Sequence, residues 1–345
     1  MDFIKKNLPG ILVCILIAIP AFYLGKMFPI IGGPVFAILI GMLICMFWTN
    51  HGAAGAGIKF TSKKVLQYAV ILLGFGLNLN VIFLTAKESL PIIISTIATS
   101  LIVSFAMCKI FELPTKLATL IGVGSSICGG SAIAATAPVI KANDEEIGQA
   151  ISVVFFFNVV AALVFPTLGD IIGMSHDAVA FGIFAGTAVN DTSSVTAAAS
   201  TWDSMFSLGH DTLDKAVTVK LTRTLAIIPI VLCLSVWYAK RHNVSEQERV
   251  SRLKIINLVP SFIIMFIIAA LITTIAVYYG VDASVFRPFK DVSLFFIIMA
   301  MAAIGLNCNI VKLIKTGFMP IMLGLACWLS ITAVCLVIQY EINIW

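Results

Sequence analysis

Charge is scarce in this chain. Only 11% of its 345 residues are Asp, Glu, Lys or Arg, against about 25% in a soluble domain. That scarcity excludes a nucleic-acid binder, a disordered chain and a soluble enzyme. Histidine is also rare. The four residues His51, His176, His210 and His242 all fall between apolar stretches. A Ser–His hydrolase buried in lipid would need one within reach of its nucleophile. No HExxH, GxGD or P-loop occurs, so zinc proteolysis, aspartyl proteolysis and ATP-driven work have no motif here. No two cysteines have CxxC spacing, and all eight lie in apolar sequence. A disulfide framework or a structural zinc site is therefore not expected, and nothing asks for a cofactor.

What the chain has is apolar length. Hydrophobic residues make up 60% of it, and the mean hydropathy is +1.06. A bilayer span needs about 20 apolar residues. Eleven hydrophobic segments can be drawn, near 8–25, 32–49, 65–84, 90–111, 117–140, 147–169, 177–200, 215–239, 255–279, 291–310 and 316–340. The expected fold class is an all-α polytopic membrane protein, a single transmembrane unit over 1–345. Lys5 and Lys6 precede the first segment like a signal peptide, yet no clear cleavage site follows, so it reads as a retained anchor.

Lys and Arg set the orientation. With the N-terminus cytoplasmic, 14 basic residues fall inside and five fall outside or in ambiguous loops. N-in and C-out is the expectation, with 240–254 a cytoplasmic loop. The net charge of +5 is then a topological signal, not an affinity for a polyanion.

Repeats follow. GLNLN at 76–80 recurs as GLNCN at 305–309, and Pro91 and Pro320 keep the same 229-residue offset. The loop charges make the first copy rise and the second descend, an inverted repeat. The repeat halves run roughly 65–169 and 177–340. A second pair lies between: GSSICGGSAIAATA (124–137) against GTAVNDTSSVTAAA (186–199). These two segments are either re-entrant hairpins or broken helices that cross; loop charges fit both.

Three stretches carry chemistry. In the fifth segment, Gly129 and Gly130 sit among Ser125, Ser126, Cys128 and Ser131. So many glycines and hydroxyls make a poor continuous helix, and broken backbone at membrane depth needs a protein or water-filled site around it. Close packing of small residues is the plainer alternative. In the seventh segment, Asn190, Asp191, Thr192, Ser193 and Ser194 are consecutive, costly unless they line a site or a deep loop. In the eighth, Lys220 and Arg223 lie three apart, on one helix face. They suit an oxyanion; snorkelling and pairing with Asp191 are the alternatives. Asn158 occupies the repeat position of Thr224 and could serve a substrate or a neighbouring helix.

These motifs carry a resemblance. LLGFGLNLN (72–80), GVGSSICGGSAIAA (122–135), FAGTAVNDTSSV (184–195) and VKLTRTLAIIP (219–229) resemble a sulfate exporter family of bacterial inner-membrane proteins over nearly the whole chain. CGGS at 128–131 is also distantly similar to the bile acid/arsenite/riboflavin transporters and cation–proton antiporters, which more often have a proline where Cys128 stands. The resemblance implies alternating access by a substrate domain against a scaffold, in the inner membrane, and by analogy a homodimer. The expectation is a secondary transporter of a small inorganic oxyanion, sulfate or sulfite first, and not an enzyme. Lys220 and Arg223 would hold the charge. Ser125, Ser126, Cys128, Gly129, Gly130, Ser131, Asn158, Asn190, Thr192, Ser193 and Ser194 would line the site. Asp191 would couple transport to a proton or sodium. A cation–proton antiporter using Asp191, an intramembrane enzyme using Ser125 or Cys128, and a channel are the competing readings.

Overall fold

The computed structural model describes residues 2–28, 32–48, 50–75, 77–174, 176–227, 229–231, 233–234, 261–307 and 317–345. The 240–254 loop, Gly76, Cys308 and Asn309 lie outside the described residues. Among the described residues the chain is all helical, and the protein is a polytopic membrane protein. Six helical stretches are long and apolar enough to cross a bilayer: Lys6–Met27, Leu79–Ile110, Glu145–Ile171, Ser261–Tyr278, Ala283–Asn307 and Phe318–Glu341. Many of their large apolar side chains face outward, such as Phe83, Ile94, Ile102 and Phe105, or Ile264, Ile268 and Leu271. Such extended apolar surface is what lipid requires.

The helices are α1 (Asp2–Met27), α2 (Gly33–Phe47), α3 (Gly55–Phe60), α4 (Leu66–Gly74), α5 (Leu79–Ile110), α6 (Thr115–Ser126) and α7 (Gly130–Thr136). They continue as α8 (Asp144–Ile171), α9 (Ala178–Ala188), α10 (Thr192–Phe206), α11 (Asp211–Thr224), α12 (Ser261–Tyr278), α13 (Arg287–Asn307) and α14 (Phe318–Glu341). One expected boundary moves. The span drawn at 65–84 ends at Gly74, and α5 begins already at Leu79. Asn78 is the reason: its side chain accepts from Asn80 N at 2.8 Å and caps α5. Lys87 and Glu88, expected in a loop, are therefore inside a 32-residue helix.

Two packing groups emerge. α13 packs on α1, α2 and α4, and α4 on α12, forming a scaffold. α5, α6, α8, α9, α11 and α14 pack on one another as a core. The groups meet mainly where α10 of the core lies against α2 and α13. Close approach recurs at glycines. A Cβ on Gly122 would sit 2.5 Å from Ser104 Oγ, so only glycine lets α6 reach α5. Ser100 and Ser104 of α5 then donate to Gly122 O and Ala118 O at 2.9 and 2.6 Å.

The two glycine- and hydroxyl-rich segments are hairpins. Lys116 Nζ, in the first turn of α6, donates to Lys141 O, after α7, at 2.7 Å. Both ends of this segment therefore lie at one end of the bundle. Trp202 Nε1, late in α10, donates to Asp177 O, before α9, at 3.2 Å. Its ring stacks on Phe181 with centroids 4.1 Å apart. α8 joins the hairpins, about 42 Å long for its 28 residues. Lys141 precedes its start, whereas Gly169, near its finish, packs on Phe181 and Trp202. The hairpins therefore enter from opposite ends of the bundle.

Candidate functional site

The hairpin tips meet midway along the bundle. α6 stops at Ser126 because the next residues cannot continue it. Gly129 has φ +67°, a left-handed value that glycine takes freely. Its N–H turns back to Gly124 O at 2.9 Å. α9 stops at Ala188 with Val189 extended, and α10 starts after Asp191, its N-cap residue. Asn158, near the midpoint of α8, ties the tips together. Its Oδ1 accepts from Asn190 N at 3.1 Å. A Cβ on Gly129 would lie 3.5 Å from Asn158 Nδ2 and 3.7 Å from Asp191 Cβ.

Each tip leaves helix C-terminal carbonyls without intrahelical partners. Two such ends, each carrying about half a negative charge, face the same small volume. The side chains of α11 supply the counter-charge. Arg223 Nε donates to Ser126 O at 2.8 Å and Nη2 to Ser125 O at 2.9 Å. Nη1 donates to Thr187 O of the other hairpin, and Nη2 reaches Asn190 Oδ1 at 3.3 Å. Lys220 Nζ donates to Ile127 O at 2.6 Å and to Val189 O at 3.0 Å. Each cation thus bridges both tips. Both are fully buried, so they do not form the open pocket wall that their spacing suggested. Among the described residues neither pairs with Asp191. Lys215, one turn earlier, pairs instead with Glu88 at 2.7 Å.

The remaining candidates divide by exposure. Ser125 and Ser126 are buried and contribute carbonyls; the Ser126 hydroxyl donates to Val123 O at 2.9 Å. Cys128, Ser193 and Ser194 are buried beside the breaks. Gly130 and Ser131 are exposed, and a Cβ on Gly130 would meet nothing within 4 Å. Asp191 and Thr192 are half-buried. The accessible surface at the break is therefore Gly130, Ser131, Asp191 and Thr192, backed by the α10 N-terminus.

Some participants carry no sequence signal. The carbonyls of Ile127, Thr187 and Val189 act through backbone, which any residue supplies. Thr187 adds its hydroxyl, which meets Cys335 Sγ at 2.8 Å. That contact depends on α14 packing against α9, which no local motif encodes.

The family model described as Conserved hypothetical protein 698 matches residues 9–324. The chain belongs to this family. A membrane protein of Streptococcus pyogenes serotype M18, named UPF0324, is 57% identical across 99% of this chain and 98% of its own. A UPF0324 membrane protein of Fusobacterium nucleatum is 54% identical, over 99% of this chain and all of its own. One of Streptococcus mutans is also 54% identical, over 99% and 98%. These relatives share the membrane character of the chain over its whole length.

Proposed function

We propose that this family member is a secondary transporter of a small inorganic oxyanion, sulfate or sulfite first, working by alternating access. One observation carries the reading. Two hairpins enter from opposite ends and place broken backbone, buried charge and a half-open carboxylate at one mid-bundle point. Discontinuous helices meeting at the midplane are how many transporters build a site. The opposed entries also support an inverted relation between the pair 124–137 and 186–199; the N-in, C-out orientation in a cell membrane rests on the Lys and Arg distribution.

The electrostatics favour an anion coupled to a proton. Two full positive charges on Lys220 and Arg223 outweigh two carbonyl ends of about half a charge each. Asp191 takes up the surplus when ionised. Protonating Asp191 frees about one unit of positive charge at the opening, beside Ser131, Thr192 and the α10 N-terminus. An oxyanion is the ligand that such donors suit. A cation–proton antiporter would have to seat a free cation beside the basic side chains of Lys220 and Arg223. An intramembrane enzyme would need a base beside Ser125 or Cys128, and His51, His176, His210 and His242 all fall between the apolar segments.

Counterflow in proteoliposomes tests this. Labelled sulfate or sulfite is expected to exchange saturably against the unlabelled anion, which a channel would not do. Asp191→Asn is expected to remove the pH dependence between about pH 5 and pH 8. Absence of exchange of either anion by wild type across that range would overturn the anion assignment.

A further inference from the structure

Core and scaffold meet where α10 lies against α2 and α13. The approach is close just before α2, where Gly32 lies so near Thr201 that a Cβ there would be 2.8 Å from its Oγ1. Charge crosses this boundary at one end only among the described residues. There Lys290 of the scaffold helix α13 pairs with Asp214 of the core helix α11. Next to it, Asp291 of α13 meets His210, just before α11, at 3.4 Å.

The core side of these pairs is braced. The Asp203 carboxylate accepts from Thr212 N and Leu213 N, both at 2.9 Å, and fixes the first turn of α11 onto α10. Lys215 pairs with Glu88 of α5 and fixes the same turn onto the core. Asp214 depends on the scaffold alone. It is buried, one of its oxygens has no partner, and the other is held by Lys290. No second ion pair crosses the boundary at the opposite end among the described residues.

We propose that the Asp214–Lys290 pair, flanked by His210–Asp291, is a one-sided latch between core and scaffold, whose release is a step of the transport cycle. It rests on the alternating-access reading and does not depend on which solute is carried. A core that slides along α2 and α13 must break both pairs, and an asymmetric fastener biases the resting state toward one face. The braces on Asp203 and Lys215 move with the core, so the first turn of α11 stays intact during release.

Hydrogen exchange of the full chain in lipid nanodiscs tests this without a substrate. Lys290→Met is expected to speed exchange in α10, along its α2 and α13 contacts, about tenfold, the weight of about 1.4 kcal/mol. Exchange in α6 and α8 is expected to stay unchanged. The pair Asp214→Cys with Lys290→Cys, cross-linked by a short bis-methanethiosulfonate that spans the length of the lysine side chain, is expected to slow α10 exchange below wild type, and reductant to restore it. A change confined to the first turn of α11, or an unmoved α10 in the cross-linked form, would overturn the latch. Sulfate counterflow on the same preparations is a separate readout. Its failure removes the anion assignment and leaves the latch result standing.

Discussion

Arg223→Met separates a cap from a ligand. The wild-type guanidinium makes four hydrogen bonds, to Ser125 O, Ser126 O, Thr187 O and Asn190 Oδ1, and is fully buried. A hydrogen bond to a charged group contributes about 1.5–3 kcal/mol. Four of them do not simply add, because the hairpin tips can relax together. A loss of at least about 5 kcal/mol remains, since the carbonyls stay buried without donors. With an unfolding entropy of about 2.1 cal/mol/K per residue, one kcal/mol moves the Tm of a 345-residue unit by about 1.4 °C. The expected fall is about 7 °C, read from tryptophan fluorescence of the protein in detergent. Arg223→Lys keeps the charge but replaces the guanidinium fork by a single nitrogen, which cannot reach all four acceptors, so it should recover less than half of the loss. If Arg223 were chiefly a substrate ligand, Arg223→Met would keep its Tm and lose only transport. A Tm within about 2 °C of wild type would therefore refute the capping argument.

Four further outcomes follow from the same geometry. Lys220→Met removes donors from Ile127 O and Val189 O and should cost about 3–5 kcal/mol; its combination with Arg223→Met should cost less than the sum, measured by urea or thermal unfolding. Asn158→Leu leaves Asn190 N without its acceptor and should cost about 1–3 kcal/mol by the same assay. Gly305→Ala places a Cβ 2.3 Å from Ile38 O, where α13 crosses α2, so a loss of about 1–3 kcal/mol is expected from overpacking. Asp191→Asn should leave the Tm nearly unchanged, because Asp191 is half-buried and pairs with neither cation among the described residues, while the pH profile of counterflow flattens.

The breaks themselves were legible in the sequence. Glycine at 129 and 130 and the polar run from Asn190 to Ser194 interrupt apolar periodicity, and the helices do stop at Ser126 and Ala188. The choice between hairpin and crossing was not legible. Both put the same charges at the same loops, and only the Lys116–Lys141 and Asp177–Trp202 contacts decide it. The spacing of Lys220 and Arg223 gave their shared face but not their targets. Those targets are backbone carbonyls from two segments at least 31 residues away, and a carbonyl has no sequence signature. The α4–α5 boundary was misplaced for a related reason. A charged pair at 87–88 reads as a loop, yet Glu88 is neutralised by Lys215, 127 positions along the chain.

The arrangement separates fully buried basic groups from a half-exposed carboxylate. Two helix C-termini brought tip to tip repel each other in a medium where water cannot screen them. Cations that travel with a solute could not hold those ends together, because the site would come apart on release. Covalently attached cations can. Lys220 and Arg223 are three apart on one helix, so the spacing of the two bridges is set by α11 rather than by either hairpin. Hydrogen bonds from both cations reach both tips, so the hairpins and α11 are tied into one unit. What can still change is the half-open end, at Asp191, Thr192, Gly130 and Ser131. A group that must gain and lose charge belongs there, outside the buried clamp. Hence a charge change at Asp191 should alter transport at little cost in stability, whereas one at Arg223 should cost the fold first.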